Sequence, residues 1–477
     1  MSTWLSPVVL AVIAARIVAG DASAPTLVAI VVGAGLVSLL VAGRVVLTPS
    51  RATTLPLLVA LVLVLAANLV VLGDLFRLLG STREAGIGAG VVLTLGAGGW
   101  AALDRWGRVM TPLGVMVVVL PLGLVVAAAG PPWTAWQVVA SRAALTFGQG
   151  SAWVTHGGAL GDRARLTFRE PHRVEAASAA TWRVVERDAS HVAVREWRLG
   201  AGDALTLRPG DELAVDPGAL VRFEAGRRVP GAPPSGMVWA DGRPRKMRET
   251  LVAVGGTALT LVVGGLALTP AVPVAGMTAI VAPTVLLAFA VGGSLWGLYG
   301  VALAPELSLV PRAFAPLLEI VTRVGASRWR DTLIALVVTG ILVLFVGLAV
   351  TWRARLALAF AELAGAFQRP APSRLALFGA ATAVVGLAGA LAVRGGDPWA
   401  LFMWGLGLAA ATAVAPRLAA AGPRGELFGT VVGTATFLVV LFGGDRLPPL
   451  LAAVVDYPAL AAAPLAWLAA RATRQPS

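Results

Sequence analysis

The stretch TLVAVGGTALTLVVGGLALTPAVPVAGMTAIVAPTVLLAFAVGGSLWGLYGVALAP, residues 250–305, contains no charged residue. A helix rises about 1.5 Å per residue, so this stretch is long enough to cross the hydrocarbon core of a bilayer twice. Thr269-Pro270 lies within it, and a proline there would end the first crossing. The stretch therefore predicts two successive membrane-spanning helices and decides the class of fold.

Apolar segments of spanning length also occur on both sides of this stretch. The chain is 57% hydrophobic and only 13% charged, which is more apolar than a soluble fold can bury. We expect a polytopic α-helical membrane protein with about twelve transmembrane helices and an inserted all-β extramembrane domain. Besides the two above, the predicted spans lie near residues 5–20, 25–47, 54–74, 85–103, 109–129, 332–352, 375–393, 398–416, 427–443 and 450–471.

These spans divide the chain into three parts. Residues 1–130 form a first transmembrane block of about five helices, and residues 250–477 form a second block of about seven. Residues 131–249 form a β-rich extramembrane domain that ends in a basic linker rich in proline and glycine. Near residues 311–330, apolar residues at helical spacing are interleaved with charges, which predicts an amphipathic helix at the interface.

The insert carries the local signature of short strands. Its clearest segment, DALTLRPGDELAVDPGALVRFE (Asp203–Glu224), alternates apolar and polar residues and is interrupted twice by Pro-Gly. This pattern is typical of strands joined by tight turns, and it predicts a small antiparallel sandwich or barrel. Further short strands are predicted at Arg163–Phe168, Thr181–Asp188 and His191–Leu199.

The Gly-Asp, Pro-Gly and Arg-Phe-Glu rhythm of this segment resembles one hairpin of the cupin-like double-stranded β-helix. The resemblance covers Asp203–Glu224 and implies that fold for the insert. In metal-binding cupins a histidine often follows the second Pro-Gly turn, whereas this chain has Ala219-Leu220-Val221 there. The resemblance therefore implies a domain without the cupin metal site.

The chain has a net charge of +13, and the positions of its basic residues predict the orientation of the protein in the membrane. Basic residues beside spans usually face the cytoplasm and anionic headgroups, so we expect lipid contact and no nucleic acid as partner. With about twelve spans, most arginine-rich loops share one side, and the β-domain is extracytoplasmic on the plasma membrane of a bacterium. The arginines of the expected cytoplasmic side are Arg44, Arg51, Arg105, Arg108, Arg353, Arg355, Arg369, Arg374, Arg417, Arg424, Arg471 and Arg474.

Two basic clusters would lie on the opposite side. The first, in the linker, is a candidate for lipid or partner contact and comprises Arg243, Arg245, Lys246 and Arg248. The second comprises Arg312, Arg323, Arg328 and Arg330.

Few residues of this chain can carry chemistry. It has no cysteine, which excludes thiolate metal sites, and His156, His172 and His191 match no spacing of metal ligands. No carboxylates or histidines are grouped at one membrane face, as membrane enzymes usually require. We therefore expect that the protein is not an enzyme and that it has no catalytic residue, metal or cofactor.

Two residues are the candidates for a transport site. Asn68 is the clearest polar residue deep within a predicted span, and Asp456 stands beside Pro458, where a break in a helix can line a cavity. Two functions remain open. A solute permease fits the number of spans and the abundance of glycine, proline and threonine. A non-catalytic integral subunit or assembly factor of a larger membrane complex fits the lack of buried charge, with the β-domain as its docking surface.

Overall fold

A computed structural model provides the three-dimensional structure of the chain. It describes residues 5–18, 24–42, 50–97, 103–141, 152–154, 164–168, 171–187, 192–216, 219–223, 247–268, 277–303, 314, 317–318, 320–321, 327–366, 373–419, 422–443 and 454–473.

Within the described residues, five helices precede Gly130, and a short sixth helix follows it and leads to the insert. These helices are α1 (Pro7–Val18), α2 (Ala24–Ala42), α3 (Thr54–Leu78), α4 (Arg83–Gly96), α5 (Leu103–Ala129) and α6 (Pro132–Ser141).

The second block contains long helices and two that pass through a π-helical turn. Helix α7 (Met247–Leu259) continues through the turn π1 (Thr260–Gly264) into α8 (Gly265–Leu268). Helix α12 (Pro398–Ala409) continues in the same way through π2 (Ala410–Val414) into α13 (Ala415–Leu418). The remaining helices are α9 (Met277–Leu303), α10 (Ser327–Ala366), α11 (Arg374–Arg394), α14 (Gly422–Gly443) and α15 (Ala459–Ala472).

The apolar helices are consistent with an integral membrane protein, but they do not confirm about twelve spans. Within the described residues, 7 helices are long and apolar enough to cross a membrane, and four further apolar helices are shorter. Helices α1 and α4 have 12 and 14 residues. They rise about 18 and 21 Å, against a hydrocarbon core of about 30 Å. Hydropathy detects their apolar residues but not the point inside the bundle where each helix begins or ends.

Helix α10 is antiparallel to α3 and α5 and packs closely on both. A Cβ atom on Gly340 would lie 2.8 Å from the backbone nitrogen of Val118, so this contact requires glycine. The Trp352 indole donates to the Leu61 carbonyl at 2.8 Å, and Arg51 donates to the Gly365 carbonyl at 3.4 Å. We call the side of the bundle where α3 begins and α10 ends the Ser50 face.

The opposite side, where α5 ends at Gly130, is the Gly130 face. The Tyr299 hydroxyl donates to the Gly130 carbonyl at 2.6 Å and fixes this end of α5 against α9. At the other end of the insert, Gly256 of α7 packs against Tyr457, which precedes α15. Since α15 runs from there to Ala470, which lies against Gly429 near the start of α14 at the Ser50 face, Tyr457 lies toward the Gly130 face. Helix α6 and the start of α7 therefore share the Gly130 face.

The insert is an all-β domain of eight described strands. Two antiparallel sheets have the strand orders β1-β8-β3-β6 and β2-β7-β4-β5, which is the order of a jelly roll, the architecture that includes the cupins. The strands are β1 (Ala152–Val154), β2 (Ala164–Thr167), β3 (His172–Ala176), β4 (Ala180–Arg187), β5 (Val192–Leu199), β6 (Ala204–Leu207), β7 (Glu212–Val215) and β8 (Leu220–Phe223).

The segment Asp203–Glu224 does not form the hairpin that its rhythm suggests. Strand β6 pairs with β3, whereas β7 pairs with β2 and β4 in the other sheet. At Gly210 the backbone has φ 97°, and the Asp211 carboxylate accepts from the Arg208 backbone N–H at 2.7 Å, which fixes the turn between the sheets. The local pattern therefore predicted the strands and the turn, but it missed β1, β3 and the long-range pairing.

The interior of the jelly roll is filled by apolar side chains. Trp182 is completely buried, and it packs in one cluster with Phe168, Val174, Leu213 and Val221. His172 is buried as well, with its ring edge-on to Phe168 at a centroid distance of 5.3 Å. Because side chains fill this interior, the surface of the domain is the part available for recognition.

Two basic or amphipathic segments of the sequence lie partly outside the described residues. Of residues 311–326, Phe314, Leu317, Leu318, Ile320 and Val321 are described, and all five are buried against the helices. The following residues belong to α10, which begins at Ser327. In the linker, Arg243, Arg245 and Lys246 lie outside the described residues, and Arg248 lies in the first turn of α7.

Replacement of Trp182 tests the jelly-roll core. In a segment of residues 150–225 expressed alone, we expect a soluble domain with a β-type circular dichroism spectrum, and Trp182→Ala should destabilise it by about 3–5 kcal/mol. Trp197 is the matched control, because it lies opposite Trp182 on β5 and is 39% exposed. Trp197→Ala should cost less than about 1 kcal/mol in chemical unfolding. Equal losses for the two variants would contradict this core.

Candidate functional site in the membrane block

Helix α1 begins inside the bundle, next to the middle of α3. Asn68 of α3 is fully buried, and its Oδ1 accepts from the Val8 backbone N–H at 3.4 Å. Its Nδ2 donates to the Val64 carbonyl at 2.9 Å. The first N–H groups of a helix have no partner within the helix, so Asn68 caps α1 from a neighbouring helix. The Ser6 hydroxyl accepts from the next N–H, that of Val9, at 3.5 Å.

The carboxyl end of α4 also lies inside the bundle and is met by an arginine. Arg353 of α10 donates from Nη1 to the Leu95 carbonyl at 3.0 Å. A guanidinium at this position satisfies one of the last carbonyls of α4 and complements the negative end of the helix dipole. Arg353 thus lies in a helix, partly buried, and bonds to the end of α4 rather than lying in a loop.

Arg355 was predicted to lie in a loop on the cytoplasmic side, but the structure places it in a helix, where it is buried. It is only 2% exposed and lies in α10 within a segment apolar enough to span the membrane. An ionisable residue at such a position is costly and marks a functional candidate. The sequence does indicate that the helix continues past Arg355, because Leu356, Leu358 and Phe360 extend the apolar pattern of the span beyond Trp352.

The turns π1 and π2 lie against each other and against α12. A Cβ atom on Gly264, the last residue of π1, would lie 2.6 Å from the carbonyl carbon of Leu406 in α12. Turns π1 and π2 are in direct contact, and π2 also contacts α3. Single π-helical turns are rare, and they occur frequently at functional sites because they loosen the backbone hydrogen bonding of a helix.

Two threonines satisfy the backbone around π2. The Thr430 hydroxyl of α14 donates to the Thr412 carbonyl at 3.0 Å, and the Thr412 hydroxyl donates to the Leu408 carbonyl at 2.7 Å. Both side chains are buried. At buried positions in a membrane protein, hydroxyl groups of neighbouring helices can donate to backbone carbonyls at an irregular turn. Turn π2 is therefore tied to α14 as well as to α12.

The interrupted helices form one group. Helix α1 contacts both α3 and α12, and π1 contacts α2 and α12. By contrast, α5 and the 40-residue α10 are continuous and pack along each other. This arrangement provides polar backbone and hydroxyl groups near the centre of the bundle, beside a closely packed pair of long helices. It can support binding of a polar solute and bending of the interrupted helices.

The structure does not bring the two sequence-predicted transport residues together. Asn68 lies between α1 and α3 and has a partner for both of its amide atoms. Asp456 is exposed, in the turn of residues 454–457 before α15. Its exposure fits a hydrated carboxylate outside the buried core of the bundle rather than one that lines an internal cavity. A transport role for either residue stays a prediction.

Comparison with known proteins leaves the function to be argued from this site. No protein-family model matches the chain, and no curated protein matches it. In the part of the chain that the structure describes, no group of three histidine, cysteine or acidic residues is placed to hold a metal ion.

Replacement of Asn68 tests its role as a cap. Asn68→Leu keeps the approximate volume but leaves the Val8 N–H without its buried acceptor, which should cost about 1–3 kcal/mol. We expect a lower melting temperature in detergent. Thr382→Val is the control, because Thr382 is exposed and bonds only within its own helix, to the Phe378 carbonyl at 2.9 Å. An unchanged melting temperature for Asn68→Leu would show that α1 does not depend on this cap.

Proposed function

We propose that this integral membrane protein is a solute transporter of the bacterial plasma membrane. The observation that carries the proposal is the contact between π1 and π2, in a bundle where α1 packs on both α3 and α12. Transporters commonly build their substrate sites from discontinuous helices near the centre of the membrane, where irregular backbone lines a cavity. The contact between the two π-helical turns of this chain supports a site of that kind.

The same arrangement suggests how transport proceeds. Helices α1, α7 and α12 form the moving group, and the continuous pair α5 and α10 forms the frame. Loosened hydrogen bonding at π1 and π2 lets α7 and α12 bend, which opens the centre of the bundle to one face and then to the other. Arg51, Arg417 and Arg424 at the Ser50 face support a cytoplasmic assignment of that face, with the β-domain outside.

Accessibility to a thiol reagent tests this proposal, because the chain has no cysteine of its own. Ala411→Cys places a thiol in π2 at a buried position, and Ala349→Cys places one at an equally buried position of α10. In membrane vesicles of both orientations, we expect a membrane-impermeant maleimide to label Ala411→Cys, because transport must expose the centre of the bundle to water. Ala349→Cys should remain protected. Equal protection of both variants would indicate a static bundle and contradict transport.

A specific feature of the β-domain favours a second candidate function, that of a subunit in a larger membrane complex. Strand β5 is the last strand of its sheet, and within the described residues it pairs only with β4. All of residues 193–198 are exposed, including the apolar Val194 (49%) and Trp197 (39%). An edge strand with unpaired backbone groups can receive an extended strand from another protein.

A lysine on this edge tests the second function. If β5 binds a partner, Val194→Lys should remove a stoichiometric companion from the protein purified in mild detergent, because lysine blocks edge pairing. Thr206→Lys is the control, since Thr206 is exposed on β6, an edge strand of the other sheet. Native mass measurement compares the two variants with the original chain. A protein that purifies without a companion would contradict the subunit function.

A further inference from the structure

We infer that Ser50, Arg417 and Glu426 form a latch that holds the Ser50 face closed, a regulation that rests on the transport function proposed above. The Glu426 Oε1 atom accepts from the Ser50 hydroxyl at 2.7 Å and from Arg417 Nε at 2.8 Å. Both partners therefore reach the same carboxylate oxygen. We refer to these three residues as the latch.

The latch joins elements that are distant along the chain. Ser50 precedes α3, Arg417 lies in α13, and Glu426 lies near the start of α14. Ser50 itself is held in a fixed turn, because its backbone N–H donates to Thr53 Oγ1 at 3.0 Å and its carbonyl accepts from the Thr54 hydroxyl at 2.7 Å. The latch thus connects a rigid anchor on α3 to the end of an interrupted helix.

Arg417 is placed to report movement of π2. Helix α13 comprises only Ala415–Leu418 and follows π2 directly, so bending at π2 displaces Arg417. Glu426 lies on α14, which Thr430 ties to π2 at Thr412. Bending therefore changes the position of both members of the ion pair relative to Ser50. The Ser50 face cannot open around π2 without breaking at least one of these bonds.

The exposure of the latch suits a contact that breaks and forms repeatedly. The side chains of Arg417 and Glu426 are 22% and 17% exposed, so water can reach them when they separate. Charge-assisted bonds of this length are strong, yet at an accessible face the separated groups are hydrated again. In contrast, Asn68 is fully buried, and loss of its bond would leave an unpaired backbone N–H in the bundle.

Another described ion pair differs in what it connects. Arg83 and Asp74, 3.5 Å apart, join α3 to the next helix along the chain at the Gly130 face. That pair closes a local hairpin and involves neither π turn. It provides a matched control, because its removal changes charge at the opposite face without touching the latch.

Charge reversal tests the latch in the full chain. The reporter is Ala411→Cys, labelled by a membrane-impermeant maleimide in vesicles that expose either the Ser50 face or the Gly130 face. Arg417→Glu removes one bond to the carboxylate and Glu426→Arg removes both. Each should raise the labelling rate from the Ser50 face by about tenfold or more, tenfold being the factor expected for loss of one charge-assisted hydrogen bond. The double variant, which restores the pair with reversed signs, should return the rate toward the original value. Asp74→Arg should leave the rate from the Ser50 face unchanged.

The results separate failure of the latch from failure of transport. If the reporter is labelled from the Gly130 face in the original chain, but the single reversals do not raise labelling from the Ser50 face, the latch is wrong and the transport proposal stands. If no variant is labelled from either face, both are wrong. A double variant that labels as fast as the single variants would also overturn the latch. Should a reversal prevent folding, as judged by size-exclusion chromatography, Glu426→Gln and Ser50→Ala replace it, with smaller increases in the same direction expected.

Discussion

A backbone hydrogen-bonding group inside the hydrocarbon region must have a partner in the protein, and the helical bundle depends on this constraint. Three irregular positions of the bundle each meet one side chain from another helix. The Asn68 side chain accepts from a backbone N–H at the start of α1. Arg353 donates to a carbonyl at the end of α4, and the Thr430 hydroxyl donates to the Thr412 carbonyl within π2. Irregular backbone is therefore present in this bundle where a specific polar side chain satisfies it.

Close packing supplies the rest of the cohesion. Lipid is as apolar as the helix surfaces, so association depends on contact area and interhelical hydrogen bonds rather than on removal of apolar surface from water. Glycines bring the backbones together where the frame is continuous. A Cβ atom on Gly114 of α5 would lie 2.8 Å from the backbone nitrogen of Leu344 in α10. The indole N–H groups of Trp296 and Trp352 add bonds to carbonyls of α5 and α3 at 3.3 and 2.8 Å.

Hydropathy and alternation predicted the class of fold because both are local properties of the sequence. The apolar segments predicted the helices, and the alternation of apolar and polar residues in the insert predicted most strands of the jelly roll. The short length of α1 was not predictable in this way, since its residues are as apolar as those of a full span. Asn68 was recognised as deep and polar, but only the position of Val8, 60 residues away, reveals it as a cap. The latch joins residues 376 apart, and no local pattern indicates that contact.

The polar contacts of the bundle differ in what their loss would expose, and this difference decides where motion is feasible. The bonds of Asn68 and Thr430 are buried, so breaking them would leave backbone groups unpaired in an apolar environment. The bonds of the latch lie near water, so their groups exchange one partner for another. In the proposed transport mechanism, bending at π1 and π2 preserves the buried bonds while the contacts at the Ser50 face rearrange. The buried caps would then act as pivots, and the partly exposed charges of the latch would set the balance between the closed and open states of that face.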